Sequence, residues 1–438
     1  MKFLKSDKEK EKSDFDKAEE RFEALRFEKA GKYYFSAGET FYDIQNLKSA
    51  ETSFLNAAKS YIEEELYEET LESLREACNA SIAMDKFEYT DDIVQKALGY
   101  VKKIKSKKKK NKYFIIFGAL SYFCRFVQGE PEEGLKLIKK IKRGIEKEFF
   151  KGHKVIHLIT NLTVALRDKR QIYIERVKED FKDLELKKDE IELVRKVLLL
   201  ATIQTVITPK ITFNQTEYTT NDLIQVNFKV KANSIKNIIE DPFYKLEVKN
   251  LKIPKVNVGH SDNLTMKEKP TFPLDFSLQN DLTIDFILKP HFLKNKTIIG
   301  PITLSGVLNN NYCFYIENRK EISVKLLSPP THLDMSIDNL KPPLIDTTFP
   351  LEVLIENNSE SEARELEISI TLPEQLKLMR GTIEKQIYSL RPNETINWQI
   401  SAKPNEAGEF EIIGELKYKD PDQNIIEEKK KFSISIKL

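Results

Sequence analysis

Residues 199–213 read LLATIQTVITPKITF, and the spacing of apolar residues changes within this stretch. Upstream of it, apolar residues recur three and four positions apart, as they do on one face of a helix. Downstream, runs such as Phe349–Glu356 and Thr395–Ala402 alternate apolar and polar residues, as strands with one buried face do. A block of helices followed by a block of strands indicates segregated units. The sequence therefore predicts no return to helix after residue 207 and no core shared across it.

The length and composition of the chain predict about three folded units. The chain has 438 residues, of which 40% are hydrophobic and 14 are glycine, so it has enough apolar surface to fold. Ser328-Pro-Pro330 interrupts the strand block, because proline cannot donate a backbone hydrogen bond to a sheet. We predict an all-α helical-hairpin solenoid over residues 1–207, followed by two immunoglobulin-like β-sandwiches over residues 208–328 and 329–438.

Cysteine usage and the amino-terminal sequence favour the cytoplasm. Cys78, Cys124 and Cys313 are an odd number, lie far apart and sit in apolar stretches, as reduced core cysteines do. The first ten residues, MKFLKSDKEK, contain no apolar segment of the kind that a secretory signal needs. No run approaches the roughly 18 apolar residues of a membrane span. We expect a cytoplasmic protein that can lie at the periphery of a membrane.

A pattern of small and aromatic residues recurs in the helical block. Small residues let two antiparallel helices approach, and aromatic rings fill the space between one pair and the next. The first copy of the pattern is Gly38, Phe41, Ala50, Phe54 and Ala57. Weaker copies are Cys78, Ser81, Thr90, Val94 and Ala97, and then Tyr122, Arg125, Gly134, Ile138 and Ile141.

This pattern resembles tetratricopeptide repeats over residues 31–145 and, more loosely, the helical arrays of soluble NSF attachment proteins. The spacing drifts from the 34 residues of the tetratricopeptide consensus to about 40 residues. The resemblance implies helical hairpins whose concave face binds a partner protein. It also implies that Lys32, Glu39 and Tyr42 project from the first helix of a repeat into that groove.

The last unit carries three stretches typical of β-sandwiches, namely Leu351–Ser359, Leu390–Thr395 and Ala407–Tyr418. They resemble the adhesion-related sandwich domains common in archaea and bacteria, and they are also similar to the appendage domains of vesicle-coat adaptors. Both resemblances imply a fold, and neither implies a ligand. Trp398 lies in an alternating strand and is predicted to be a core residue.

Charge is strongly segregated along the chain, although its net value is only +2. Residues 1–100 sum to −8 and residues 101–207 to +13, so opposite patches of two copies would attract each other. Eight lysines lie in a predicted loop between two helices: Lys102, Lys103, Lys105, Lys107, Lys108, Lys109, Lys110 and Lys112. They are interpreted either as a solvated loop or as a surface that attracts an anionic membrane or an acidic protein. A nucleic acid partner is not expected, because neither arginine nor an aromatic platform is interleaved with them.

The sequence contains none of the common catalytic or cofactor motifs that we sought. It has no phosphate-binding loop, no nucleotide-binding glycine fingerprint, no nucleophile elbow and no Cys-x-x-Cys pair. His153 and His157 lie four apart on a predicted helix, but no acidic neighbour completes a metal site. Asp420–Asn424 is more typical of a hairpin turn than of a calcium site. We therefore predict neither enzyme activity nor a cofactor.

Two classes of function remain open on the sequence. The first is a cytoplasmic scaffold or adaptor that binds partner proteins through its helical groove, in an assembly of the membrane-trafficking, coat or tethering kind. The second is a cell-envelope or surface protein with adhesive sandwiches, which the missing secretory signal disfavours. We favour the first.

Overall fold

The computed structural model describes residues 14–244, 246–294 and 296–437. The helical block begins with a helix over residues 14–23, α1. The helices that follow are α2 (Phe27–Asp43), α3 (Leu47–Glu63), α4 (Tyr67–Ala83), α5 (Phe87–Val101), α6 (Lys107–Val127), α7 (Pro131–Gly144), α8 (Lys147–Lys151), α9 (Lys154–Asp168), α10 (Gln171–Lys182) and α11 (Lys188–Val206). Strands follow from Lys210 onwards, so the predicted order of a helical block and then a strand block is confirmed.

The first helices repeat at a regular interval that the sequence pattern only approximates. The helices α2 to α6 begin at Phe27, Leu47, Tyr67, Phe87 and Lys107, which places their starts 20 residues apart. The turns before α2, α3, α4 and α5 each contain a residue with a left-handed backbone, namely Leu25, Gln45, Glu65 and Asp85. A hairpin of two helices therefore takes 40 residues. This longer repeat explains the drift from the tetratricopeptide spacing.

The small residues of the sequence pattern lie where neighbouring helices touch. A Cβ atom on Gly38 would lie 2.7 Å from the ring of Phe54, which is buried. In the third hairpin, a Cβ atom on Gly134 would lie 2.9 Å from the Cα atom of Tyr122. A larger residue at either glycine would force the two helices apart. These contacts confirm the predicted helical hairpins.

The described strands form four sheets, of which two belong to the first part of the strand block. Their strands are β1 (Lys210–Phe213), β2 (Glu217–Thr219), β3 (Ile224–Val230), β4 (Leu251–His260), β5 (Leu264–Glu268), β6 (Leu274–Asp275), β7 (Leu282–Pro290), β8 (Thr297–Leu308), β9 (Tyr312–Asn318) and β10 (Ile322–Leu327). The strand orders are β1-β3-β7-β5 and β2-β10-β8-β4-β6, and β9 pairs with β8. We call these two sheets the first sandwich.

A helix, α12 (Ala232–Ile239), lies between β3 and β4. The prediction that no helix follows residue 207 is therefore wrong. The buried residues of α12 are Ala232, Ile235 and Ile239, at the spacing of three and four that a helix packed on one face requires. The signal was present in the sequence, but it extends over only eight residues.

The second sandwich consists of the two remaining sheets and has a core of its own. Its strands are β11 (Leu333–Asn339), β12 (Phe349–Asn357), β13 (Ala363–Thr371), β14 (Leu376–Arg380), β15 (Glu384–Leu390), β16 (Thr395–Pro404), β17 (Gly408–Lys419) and β18 (Ile425–Ile436), in the orders β11-β12-β16-β14 and β15-β13-β17-β18. Val353 and Ile368, from opposite sheets, belong to one apolar core. Trp398 is only partly buried, and Lys385 lies over its ring, so its predicted place in the core is wrong.

One continuous apolar core joins the helices to the first sandwich. It contains Phe54 of α3, Leu198 of α11 and Phe314 of β9. The strand β9 is the link, because it pairs with β8 and also packs against α11 and α6. The prediction of no shared core across residue 207 is therefore wrong. The unit boundaries at residues 207 and 328 stay predictions.

The helix α11 lies at the centre of this shared core. Val197, Leu199, Leu200 and Ala201 are completely buried, and these positions point to different sides of the helix. A helix that is apolar on all sides lies in a protein interior. The contacts of α11 with α4, α6, α9, α10 and β9 account for this burial.

Candidate partner-binding groove

The first helices of the hairpins line one face of the helical block, which we call the groove, and a segment of the same chain packs on part of it. The helix α11 packs along α4 and α6. Near its start, Arg75 of α4 donates from Nε and Nη2 to the two carboxylate oxygens of Glu190, each at 2.7 Å. Glu190 is completely buried and also accepts a hydrogen bond from the backbone N–H of Lys187 at 2.9 Å. This bidentate ion pair holds α11 in the groove.

The charge of Arg75 is maintained despite its burial. Burial by itself would lower the pKa of the guanidinium, but the neighbouring Glu190 carboxylate outweighs this effect and raises the pKa above its usual value. The Glu190 carboxylate thus favours the charged form of the Arg75 guanidinium, although both side chains are buried. Removing either partner would leave the other one buried without a counter-charge.

A second set of contacts joins α11 to both the helices and the first sandwich. Lys196 of α11 donates to Asp85, in the turn between α4 and α5, at 2.7 Å. The other carboxylate oxygen of Asp85 accepts a hydrogen bond from the hydroxyl group of Tyr312 in β9, also at 2.7 Å. The ring of Tyr312 lies against Phe87, and the ammonium group of Lys196 lies 5.0 Å from its centre. Asp85 therefore connects three separate parts of the chain.

The three residues predicted to line the groove have different surroundings. Tyr42 donates its hydroxyl hydrogen to the carboxylate of Asp189, in the first turn of α11. Glu39 is exposed to solvent, and partial desolvation together with the nearby Asp43 raises the pKa of its carboxyl group. Lys32 is exposed and pairs with Glu28 one turn earlier in α2, at 2.6 Å. Tyr42 therefore binds the chain's own helix, whereas Lys32 faces solvent.

The part of the groove beyond α11 is open, and we call it the open groove. It is a cavity of about 360 Å³ lined by Phe35, Tyr61, Glu68, Glu69, Glu72 and Tyr113. The hydroxyl group of Tyr113 donates to Glu72 at 2.8 Å, and burial raises the pKa of Tyr61 to about 12. Sequence reasoning missed these residues, because they come from four helices and no local motif unites them. The open groove thus combines three carboxylates with three aromatic rings.

The lysine-rich segment is largely helical, which corrects its prediction as a loop between helices. Lys102 and Lys103 follow α5, whereas Lys107–Lys110 and Lys112 lie in the first turns of α6, which Ser106 caps. Lys107 pairs with Glu146, Lys109 pairs with Glu68, and Lys110 donates to the backbone carbonyl of Lys102 at 2.9 Å. Lys103 lies 4.8 Å from the centre of the Tyr67 ring.

The features weighed as metal sites have simpler roles. His153 precedes α9 and is partly buried, whereas His157 is exposed on the helix. Burial and the nearby charge of Lys112 lower the pKa of His153. Across the three described ranges, no three histidine, cysteine, aspartate or glutamate side chains are grouped closely enough to hold a metal ion. Asp420 accepts a hydrogen bond from the backbone N–H of Asn424 at 2.8 Å, between β17 and β18, which confirms the predicted turn.

The three cysteines are unpaired thiols, and burial raises the pKa of each of them. A thiol with a raised pKa is a poor nucleophile, because the thiolate is the reactive form. Among the helices that the structure describes, none is both long and apolar enough to cross a membrane.

Comparisons with known proteins give little guidance. No protein-family model matches the chain. No curated protein matches it either. Among solved structures, the chain is similar to the adhesin InvE of Yersinia pseudotuberculosis, with 10% identity, 52% of this chain and 59% of that chain covered, and a TM-score of 0.21. It is also similar to Escherichia coli alpha-2-macroglobulin activated by porcine elastase, with 11% identity, coverage of 53% and 22%, and a TM-score of 0.20. The chain spans less than two thirds of either protein, and neither likeness is close enough to bear on function.

Proposed function

We propose that this chain is a non-catalytic scaffold or adaptor that holds a segment of a partner protein in the open groove. The observation that supports this proposal is the way in which the adjoining groove holds α11. There, side chains from α2 and α4 bind a helix through Tyr42, Arg75 and Glu76, which contact Asp189, Glu190 and Lys187. A surface that binds one helix in this way is built to bind another segment beside it.

The chemistry of the open groove favours a partner segment with basic side chains. Glu68, Glu69 and Glu72 supply negative charge, and Lys109 is the neighbouring cation that pairs with one of them. Phe35 and Tyr61 add aromatic surface, on which a lysine or arginine side chain packs favourably. Complementary charge of this kind contributes to specificity and to the rate of association more than to affinity.

We extend the proposal to a cytoplasmic assembly of the coat, tethering or membrane-trafficking kind. A helical array followed by two sandwiches gives one chain several separate surfaces, as a scaffold requires. The partner groove and the sandwiches would then bind different members of the assembly. This part of the proposal rests on architecture alone, and function does not follow from fold without a site.

Site-specific photocross-linking tests the proposal. A photoreactive amino acid replaces Phe35 in the open groove, and in a second protein it replaces Lys96, which is exposed on α5 and outside the groove. The proposal predicts that the first protein captures a specific partner from lysate and the second does not. Capture of the same proteins from both positions would contradict it.

A charge reversal then tests which residues bind that partner. Glu69→Lys should abolish capture, because Glu69 is an exposed carboxylate of the open groove. Glu64→Lys is the matched control, because it makes the same charge change at an exposed position that does not line the cavity. Circular dichroism checks that both variants fold. Equal losses in the two variants would show that capture depends on general charge and not on the open groove.

A further inference from the structure

We propose that one rim of the helical block is a docking surface for anionic phospholipid membranes. The rim, which we call the lysine rim, consists of the basic side chains of residues 102–112 and 139–151. This proposal goes beyond the partner groove, and neither depends on the other. It rests on where the fold brings these side chains together, on their partners and on their composition.

The fold gathers basic side chains from four consecutive elements onto this rim. The end of α5, the start of α6, the end of α7 and α8 meet there, because helices in hairpins run antiparallel. The Lys107–Glu146 ion pair joins the start of α6 to the residue before α8. The rim contains the eight lysines of residues 102–112 and six further exposed basic residues, namely Lys139, Lys140, Lys142, Arg143, Lys147 and Lys151. Within residues 139–151 only Glu146 and Glu148 oppose them.

The position of four lysines in the first turn of α6 is unfavourable for the isolated helix. A helix start carries partial positive charge, so cations there are repelled and anions are attracted. Lys107 and Lys109 have carboxylate partners. Lys110 donates to the backbone carbonyl of Lys102, which leaves Lys108 exposed and without an ion pair to the residues that the structure describes. Lys102, Lys105 and Lys112, outside this first turn, are also exposed and without such a pair. An anionic ligand would provide the missing counter-charge at the start of the helix.

The composition of the rim favours lipid over nucleic acid. Nucleic acid readers use arginine for base edges and exposed aromatic rings for stacking. Residues 102–112 contain no arginine, residues 139–151 contain only Arg143, and the nearby rings of Tyr113 and Phe117 are buried. Tyr67 and Tyr100 are partly buried and stack on each other beneath Lys103. A cluster of lysines with a single arginine matches the diffuse negative charge of a membrane surface.

An acidic turn next to the rim fixes how the protein would approach the membrane. The end of α3, the turn that follows it and the start of α4 carry Glu63, Glu64, Glu65, Glu68 and Glu69. This turn lies beside the lysines, because Lys109 pairs with Glu68. An anionic surface would repel it, so contact is confined to the part of the rim from α5 to α8. The open groove, which contains Glu68 and Glu69, then lies beside the area of lipid contact and not within it.

Vesicle co-sedimentation of the full chain tests the proposal. The vesicles are phosphatidylcholine alone, or phosphatidylcholine with about 30 mol% phosphatidylserine. We expect the protein to pellet only with the anionic vesicles at about 0.1 M salt, and to be released at about 1 M salt, where the Debye length falls from about 10 Å to about 3 Å.

Two variants with equal charge loss separate the rim from net charge. The rim variant combines Lys102→Gln, Lys105→Gln, Lys108→Gln and Lys112→Gln, which spares the lysines with structural contacts. The control variant combines Lys252→Gln, Lys255→Gln, Lys267→Gln and Lys269→Gln, all exposed on the first sandwich. We expect binding of the rim variant to anionic vesicles to weaken at least about tenfold and binding of the control to stay near wild type.

Other outcomes would overturn the proposal. One is equal binding of both variants, and another is no binding of wild type to anionic vesicles at low salt. Fluorescence anisotropy with a labelled DNA duplex tests the nucleic acid alternative, and rim-dependent binding tighter than that to vesicles would overturn the proposal in its favour. Sedimentation velocity without vesicles tests self-association. Rim-dependent dimers without vesicle binding would assign the rim to a second copy of the chain.

Discussion

The two sandwiches each consist of two sheets but differ in how they are attached to the rest of the chain. The first sandwich shares its apolar core with the helices, so that Phe314 of β9 and Leu198 of α11 belong to one core. The second sandwich encloses a core of its own around Val353 and Ile368. Polar contacts connect the two sandwiches, for example the backbone N–H of Ser328, which donates to Asp422 at 2.9 Å.

This difference shows that the alternation of residues in a strand does not reveal which partner covers it. In β9, the residues Tyr312, Phe314 and Ile316 are buried at every second position, as in any strand of a sandwich. The helical block covers this strand, since Tyr312 contacts Asp85 and Phe87. In β12, the same alternation is covered by the opposite sheet. Only the tertiary contacts distinguish an attached sandwich from an independent one.

The largest expected effect comes from cutting the chain at each of the two boundaries. A fragment of residues 1–207 loses β9, so the apolar surface of α11 is exposed to water, and we expect it to aggregate or to unfold readily. Fragments 1–328 and 329–438 keep their cores whole and should fold. Circular dichroism and thermal melting of the three fragments measure the result. A stable, monomeric fragment 1–207 with a cooperative melt would show that the first sandwich is as independent as the second.

Equivalent core substitutions in the two sandwiches should destabilise different parts of the chain. Phe314→Ala removes a completely buried ring and should lower the free energy of unfolding by about 3 to 5 kcal/mol. Because its core continues into α11, the helical signal in circular dichroism should melt at lower temperature as well. Phe349→Ala removes a ring that is buried just as deeply in the second sandwich, and it should leave the helical transition unchanged. If Phe314→Ala leaves the helical transition unchanged, the helices and the first sandwich do not share a core.

The ion pair in the groove should contribute less than a core ring but more than a single neutral hydrogen bond. Arg75→Met leaves Glu190 buried without a counter-charge and should destabilise the helical block by about 3 kcal/mol. The double variant Arg75→Met with Glu190→Leu removes both charges and should recover most of that loss. Denaturant unfolding of the two variants measures the difference. A double variant that is less stable than the single one would show that the two residues act separately.

Removing the hydrogen bond between β9 and the helices should have the smallest effect on stability. Tyr312→Phe removes only the hydroxyl group that donates a hydrogen bond to Asp85. Asp85 keeps its contact with Lys196. We expect a loss of about 1 kcal/mol in the free energy of unfolding. Tyr418→Phe, in the second sandwich, is a matched control, because Tyr418 is also buried and hydrogen-bonded to a carboxylate, that of Glu428. It should leave the helical transition at its wild-type position.

The sequence predicts local features of this protein well and long-range ones poorly. The change of pattern near residue 207, the hairpin packing of Gly38 with Phe54 and the turn at Asp420 are each set by a few neighbouring residues or by a repeat. The Arg75–Glu190 pair joins residues 115 positions apart, so no local pattern predicts this pair. For the same reason, no local pattern predicts that α11 lies in the groove. The sequence predicts a loop at the lysine segment because its charge obscures the start of α6, although Ser106 is a favourable cap.

Native-state hydrogen exchange measures most directly whether α11 and β9 unite the helices and the first sandwich into one cooperative unit. The measurement follows amide protons of α11, β9 and β12 at increasing denaturant concentrations. We predict that amides of α11 and β9 open with the same free energy and the same denaturant dependence, whereas those of β12 open in a separate step. Opening of β9 together with β12 while α11 stays protected would show that the helices and the first sandwich do not share a core.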